Sequence, residues 1–376
     1  MYKAYKFRLY LNKEQEIIVN KTFGCTRFIY NYFLNKIKEN KKYIKTYDMC
    51  KEIKELVIIY PWLKEVDSCA LRNAVFNLED SFKNYYSKRS KYPNFKNRNS
   101  KQRYRTSFIE SEYKGHKYES IKVDLKRRII TLPKLKEVKI RGYRNIKEIK
   151  GKIINATIEK ELTGKYYVSV IYKQEETITS KRKAESIVGI DVGIKTLITL
   201  SDGTKYDNKK IINKYEKRIK RLQRKISRQE KNSKKYIDTK QRLAVLHNKI
   251  KNGRRYYIIK ATNEITKKYD IIVSEKLKIS KMLKNAKISK SLSDASINKI
   301  FERIRWKANV LGKYYYQIDT YYPSSKTCSH CGNETEITNN LNIRKWECIK
   351  CHMINDRDIN ASINIMFEGL KMHYIR

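Results

Sequence analysis

Two Cys-x-x-Cys pairs, Cys328/Cys331 and Cys348/Cys351, stand sixteen residues apart near the end of this 376-residue chain. At that spacing each pair makes a tight knuckle, and the loop between them lets four sulfurs face one tetrahedral point. Disulfides and a redox Cys-x-x-Cys compete with this reading, but nothing in the sequence points to the oxidising compartment a disulfide needs. Four thiolates close a coordination sphere, so residues 323–354 are expected to form a ribbon around one structural Zn²⁺ that does no chemistry. Cys25, Cys50 and Cys69 are expected to be bystanders, two of them among apolar helical positions where Cys packs as a small hydrophobe.

Carboxylates occupy three informative places. Asp356 and Asp358 open an apparent helix with the apolar stripe Ile359, Ile363, Met366 and Leu370. Taken alone, acids in a first turn usually answer the helix dipole and the free N–H groups. Asp191 lies in the run Ile187–Leu200, where strand geometry puts Gly189, Asp191 and Gly193 on one face and Val188, Ile190, Val192 and Ile194 on the other. It is either an acid at a frayed strand end or a buried acid that needs a cation or strong hydrogen-bond donors, with glycines leaving room for something large. Glu275 ends the short apolar strand that begins at Asp270. If a sheet gathers three such acids, they form a hard oxygen site for two catalytic Mg²⁺ ions.

The charge balance narrows the partners. With 86 basic residues against 39 acids the formal charge is +47, and 30 tyrosines supply flat faces for unpaired bases. An AT-rich genome would favour Lys and Tyr but would not create that imbalance. The chain is therefore expected to work bound to nucleic acid. The first ten residues alternate charge with aromatics instead of forming a signal sequence, and no apolar run approaches the roughly 18 residues of a membrane span. A soluble, cytoplasmic protein with no membrane partner is expected.

The pattern divides the chain into segments. Residues 1–10 alternate as a strand. Residues 11–90 read as a helical, helix-turn-helix-like domain, opened by a capping box at Asn12 and Gln15 and broken at Gly24. Residues 88–105 form a basic, aromatic connector, either a solvated linker or a phosphate contact. Residues 91–180 read as a small β-barrel or sandwich, with strands over 129–132, 138–140, 156–158 and 166–172, and polar residues 174–185 mark a boundary. A second domain, 186–322, carries a helical hairpin over 209–260. Up to Arg255 this hairpin holds nineteen Lys and Arg against three acids. Lys217, Arg218, Arg221, Arg224, Arg228, Arg254 and Arg255 are its expected nucleic-acid contacts. A coiled coil is the alternative, but the apolar positions are too interrupted for heptads. A helix over 294–311 and a strand over 314–318 lead into the ribbon.

Taken together, Gly189-Ile-Asp191-Val-Gly193, the strand ending in Glu275, Pro323-Ser-Ser-Lys-Thr-Cys328-x-x-Cys331-Gly332, Cys348-x-x-Cys351 and Asp356-Arg-Asp358-Ile-Asn360-Ala361 resemble the TnpB family. So do Phe7-Arg8-Leu9-Tyr10, Phe23-Gly24, Arg27, Tyr30-Asn31, Tyr92-Pro93-x-Phe95-Lys96 and Leu132-Pro133-Lys134-Leu135. The resemblance runs the whole chain in order. It implies a transposon-encoded, RNA-guided DNA endonuclease with an RNase H-like RuvC nuclease domain that carries the zinc ribbon as an insertion. A wedge barrel, starting with strand 1–10, would hold the inserted helical recognition domain, and residues 355–376 would be the terminal RuvC helix. The resemblance further implies a catalytic, Mg²⁺-binding triad of Asp191, Glu275 and Asp358, with Asp356 left as the helix cap. Its partners would be a guide RNA from the flanking transposon locus, double-stranded target DNA and the displaced single strand, at the nucleoid of a prokaryotic cell.

Three positions depart from the family pattern: Leu11 stands for Pro, Lys276 for an acid, and His352 for the Gly after the last cysteine. None touches the triad, although His352 is expected to strain its knuckle. A nuclease-dead RNA-guided repressor is disfavoured by the intact acids. A strand-joining transposase lacks a dedicated element, and a guide-free junction nuclease would leave the first half of the chain idle.

Overall fold

The computed structural model describes residues 2–113, 116–142, 146, 148–174, 183–340 and 342–374. Most of the expected boundary at 174–185 lies outside them. The chain divides into two compact units, residues 1–176 and 177–376.

In the first unit, β1 (Tyr2–Tyr10) leads into α1 (Lys13–Asn40), α2 (Thr46–Ile59) and α3 (Ser68–Tyr86). There follow β2 (Arg103–Ser107), β3 (Glu110–Tyr113), β4 (His116–Glu119), β5 (Lys122–Asp124), β6 (Ile129–Leu132), β7 (Lys136–Arg141), β8 (Lys152–Lys160) and β9 (Tyr166–Lys173). Seven strands form one antiparallel sheet in the order β2-β8-β9-β1-β7-β6-β5, so the N-terminal strand lies at its centre. Alternation explains the placement: Phe7 and Leu9 point into a core with Val168, Val170, Ile158 and Ile140, while Lys6 and Arg8 point away. The capping box forms as read, with Gln15 N donating to Asn12 Oδ1 at 2.7 Å and Asn12 N to Gln15 Oε1 at 3.1 Å.

Gly24 does not break the first helix. α1 runs for 28 residues straight through it. A mid-helix glycine costs only about 1 kcal/mol, and here Val19 and Phe23 anchor one side in the sheet core while Ile29, Phe33 and Ile37 anchor the other among α2 and α3. Two buried stripes outweigh one flexible residue.

The second unit contains β10 (Ile187–Val192), β11 (Thr196–Leu200), β12 (Lys205–Asp207), α4 (Ile211–Ser227), α5 (Lys234–Lys268) and β13 (Ile271–Glu275). It continues with α6 (Ile279–Met282), α7 (Ala286–Ala295), α8 (Ile297–Val310), β14 (Tyr314–Ile318), β15 (Lys345–Glu347), β16 (Ile354–Asp356) and α9 (Arg357–Tyr374). Its main sheet has the order β12-β11-β10-β13-β14: the first three strands are antiparallel, and β13 and β14 run parallel to β10. The run 187–200 is thus a hairpin rather than one strand, turning after Gly193. The helix expected from 294 is also split: Ser296, at φ +53°, separates α7 from α8.

The two faces of β10 behave as the alternation requires. Val188 and Ile190 are fully buried against α5 and α8. On the Gly189 face lies α9, and a Cβ on Gly189 would meet the Ser362 carbonyl oxygen at 1.9 Å. The large object for which Gly189 leaves room is the chain's own last helix, whereas a Cβ on Gly193 would meet the Thr196 carbonyl oxygen of the same hairpin at 2.9 Å. Gly369 repeats the device on β13, where an added Cβ would meet Val273 at 2.3 Å.

Candidate functional site: a carboxylate cluster beside a four-cysteine ribbon

β10 and β13 are parallel neighbours with Ile190 opposite Ser274. One residue further along each strand come Asp191 and Glu275, on the same face at the same end of the sheet. Asp358 sits in the first turn of α9, which lies on that face. The acids are half-buried and close enough to repel one another. The Asp191 carboxyl is pushed up to about 7, by burial first and then by Glu275 and Asp358. Burial also raises Glu275, against a hydroxyl hydrogen bond donated by Ser324. The raised carboxyls of Asp191 and Glu275 would be relieved by a nearby cation, and oxygen donors suit a hard divalent one.

Asp356 behaves differently. Its Oδ1 accepts from the backbone N–H groups of Asp358 and Ile359, each at 3.1 Å, and its Oδ2 from Lys205 Nζ at 2.7 Å. Burial alone would raise its carboxyl, but Lys205 and the helix N–H groups outweigh it and hold it below the ordinary value. It caps α9.

Two polar groups at the site are not among the residues the sequence singled out for it. Arg344, just before β15, donates Nη1 to Asp358 Oδ1 at 3.0 Å. Ser324, four residues before Cys328, donates to Glu275. Both come from the segment inserted between β14 and α9, and only the -Pro-Ser-Ser-Lys-Thr- run hinted at Ser324. Beside them opens a cleft of about 910 Å³ whose walls include Asp358, Arg344, Lys195, Lys210 and Lys290. Glu216 on its wall is paired with Lys290 at 2.8 Å and Lys220 at 2.9 Å, and those ammonium groups lower it to about 2.

The four ribbon thiols lie within 4.8 Å of one another, with Sγ–Sγ distances of 3.7 Å for Cys328–Cys351 and 3.6 Å for Cys331–Cys348. A disulfide needs about 2.05 Å. A tetrahedron of Zn–S bonds of about 2.3 Å sets sulfurs about 3.8 Å apart, so the donor set fits zinc. Among the described residues the cysteines reach this mutual closeness and the three carboxylates do not. Both knuckles close alike, with Gly332 N donating to Cys328 O at 2.9 Å and His352 N to Cys348 O at 2.8 Å. Gly332 has φ +72° and His352 φ +54°, so the histidine occupies a left-handed position where glycine is the natural residue. Asn360 and Asn364 tie the ribbon to α9: Asn360 Nδ2 donates to Thr327 O at 2.8 Å, and Asn364 Nδ2 to Ser324 O at 2.8 Å.

Of the basic residues expected to touch nucleic acid, Lys217, Arg218, Arg221 and Arg224 are exposed along α4, and Arg228 is exposed at its C-cap. Arg255 is exposed on α5, but Arg254 is half-buried, and its Nε donates to the buried Asp294 at 2.6 Å. Arg254 thus ties α5 to α7. No helix among the described residues is long and apolar enough to cross a membrane.

Three family models match the chain: "Probable transposase" (OrfB, IS605 type) over residues 169–286, "Cas12f1-like, TNB domain" over 298–365, and "Helix-turn-helix domain" over 1–43. The last span here is β1 and one unbroken helix. A "Putative RNA-guided DNA endonuclease" of Streptomyces pristinaespiralis is 31% identical over 98% of this chain and 89% of its own length. The "Putative RNA-guided DNA endonuclease InsQ" of Escherichia coli K12 is 30% identical over 98% and 92%. Among solved structures, the protein of a Cas12f1–sgRNA–target DNA complex shares the fold at TM-score 0.57 and 14% identity, covering 97% of this chain and 98% of that one. Matched from end to end by such relatives, the chain is a member of the TnpB family.

Proposed function

We propose that this protein is a transposon-encoded, RNA-guided DNA endonuclease whose nuclease centre is Asp191, Glu275 and Asp358. The observation that carries the reading is the convergence of those acids at one end of the β10–β13 pair, beneath α9, in a chain whose full-length relatives are named as RNA-guided DNA endonucleases. The mixed sheet, three antiparallel strands and then two parallel ones with α9 on the face of the acids, supports reading the second unit as an RNase H-like, RuvC-type domain. The first unit is read as a wedge barrel built around β1, with α1–α3 as the inserted recognition domain. Its partners are a guide RNA from the flanking locus, target duplex and the displaced single strand.

Asp191, Glu275 and Asp358 would hold two Mg²⁺ ions, which when bound lower the pKa of an attacking water and neutralise the leaving oxygen of a phosphodiester. The chain's own groups do the rest. Ser324 orients Glu275, and Arg344 steadies Asp358 while adding positive charge where the phosphate's negative charge grows. Lys195 and Lys210 draw the strand into the cleft. The four cysteines would hold one Zn²⁺, keeping the ribbon folded so that Arg344 and Ser324 stay in place.

The test is cleavage of a plasmid carrying a guide-matched target by protein co-expressed with its flanking locus. Magnesium-dependent cutting that Asp191→Ala abolishes is expected. Guide-directed binding without cutting by the parent would replace this reading with a repressor.

A further inference from the structure

The unit of residues 1–176 contains a cavity of about 390 Å³ bounded by α1, α3 and the segment 96–105. Lys96 lines it, and its placement is built. Asn31 clamps the Lys96 backbone, its Nδ2 donating to Lys96 O at 2.8 Å and its Oδ1 accepting from Lys96 N at 2.8 Å. The Lys96 ammonium stands 3.4 Å from the ring centroid of the buried Tyr30. Asn97 rigidifies the next turn by accepting from the backbone of Asn99 and Ser100 at 2.9 and 3.0 Å.

What the cavity lacks is a counter-charge at that ammonium. Among the described residues no carboxylate pairs with Lys96, and the side chains of Arg27 and Arg103 on the same walls have neither an ion pair nor a hydrogen bond. The other basic groups there are engaged: Lys101 with Glu159 at 3.2 Å and Arg105 with Asn73 at 2.8 Å. Asp80, the acid on the wall, is exposed. Burial, and then the charge of Arg103, bring the Lys96 ammonium down to about 8. Lys96 and Arg27 are half-buried and Arg103 is exposed at the mouth, so a partly desolvated cation without an anion weakens the free protein, and an entering anion relieves that cost.

We propose that this cavity is a phosphate site, in which one backbone phosphodiester of a bound nucleic acid seats against Lys96, Arg27 and Arg103. The inference rests on the reading that the chain binds nucleic acid. Guide RNA and DNA present the same group, so both are probed.

The experiment measures binding of the intact chain to a labelled oligouridine RNA and to a labelled mixed-sequence DNA duplex across a salt series. In the arm that supplies the phosphate, Lys96→Gln and Arg27→Gln each weaken binding about 3–10-fold. Each also flattens the log–log salt slope by roughly 0.7 for RNA or 0.9 for duplex DNA. Lys96→Arg retains the parent slope. Lys96→Met raises the melting midpoint of the free protein, because it removes an uncompensated charge, while still losing the slope. Natively folded Lys96→Gln and Arg27→Gln proteins with the parent's slope in both arms would overturn the site. So would a Lys96→Met protein that melts lower and binds normally, since Lys96 would then be a structural prop on Tyr30. A parent that binds neither probe at low salt would sink the site and the nucleic-acid reading together.

Discussion

Gly189 and Ser362 are in backbone contact, and no side chain fits between them: a Cβ on Gly189 would fall 1.9 Å from the Ser362 carbonyl oxygen. This contact lets α9 lie directly on β10 and carries Asp358 to the end of the sheet where Asp191 sits. Gly189→Ala should therefore destabilise by at least about 3 kcal/mol, since the obstacle is backbone on both sides. Gly24→Ala is the matched contrast. An added Cβ there meets nothing within 4 Å in a helical position, so it should stabilise by about 0.5–1 kcal/mol. Denaturant melts of the two variants check the pair.

Asp191→Ala, Glu275→Gln and Asp358→Asn should each abolish magnesium-dependent cleavage in a turnover assay on matched duplex. None should much weaken binding to guide RNA. Asp356→Ala, which removes the cap and the partner of Lys205, should cost about 1 kcal/mol of stability and leave cutting largely intact.

The clustered acids predict a pH dependence of the metal-free protein. Asp191 folds with its carboxyl raised to about 7 from an ordinary 3.8, so folding takes up a proton between those values. Stability contributed by this group is greatest below about pH 4 and declines as pH rises through 7. In chelator, Asp191→Asn should melt higher than the parent at pH 7.5, with the difference shrinking towards pH 5. Magnesium should restore the parent at pH 7.5 and leave the variant unmoved.

Arg344→Gln should slow cutting about 10–100-fold, because it removes a fixed positive charge beside Asp358. Guide RNA affinity should hold. The pair is partly exposed, so the stability change should stay below about 1 kcal/mol. Arg344→Lys should restore part of the rate. Single-turnover cleavage alongside binding separates the two effects.

His352→Gly should stabilise the ribbon by about 1 kcal/mol, since it replaces a side chain held at φ +54° with the residue that tolerates that angle. Zinc release in a chelator competition should slow. Cys348→Ser should release zinc outright and, by loosening the ribbon that carries Arg344, depress cutting as well.

The features legible in the linear chain were those whose physics is local. Ligand spacing set the two knuckles, because a Cys-x-x-Cys turn brings its own sulfurs together. Period-two alternation gave β10 its apolar and glycine-lined faces, and the Asn12–Gln15 spacing placed the start of α1. Tertiary packing decided the rest. It carried α1 through Gly24, because two separate cores hold its halves, and it made the partner of Gly189 a helix more than 170 residues away in sequence. It engaged Arg254, expected from the sequence as a nucleic-acid contact, with Asp294, and it brought Arg344 and Ser324 to the carboxylates although no spacing ties either to those acids. A sequence window records which residues recur at a strand or helix period. The partner a side chain meets across the fold depends on how distant segments pack, and no local spacing encodes that.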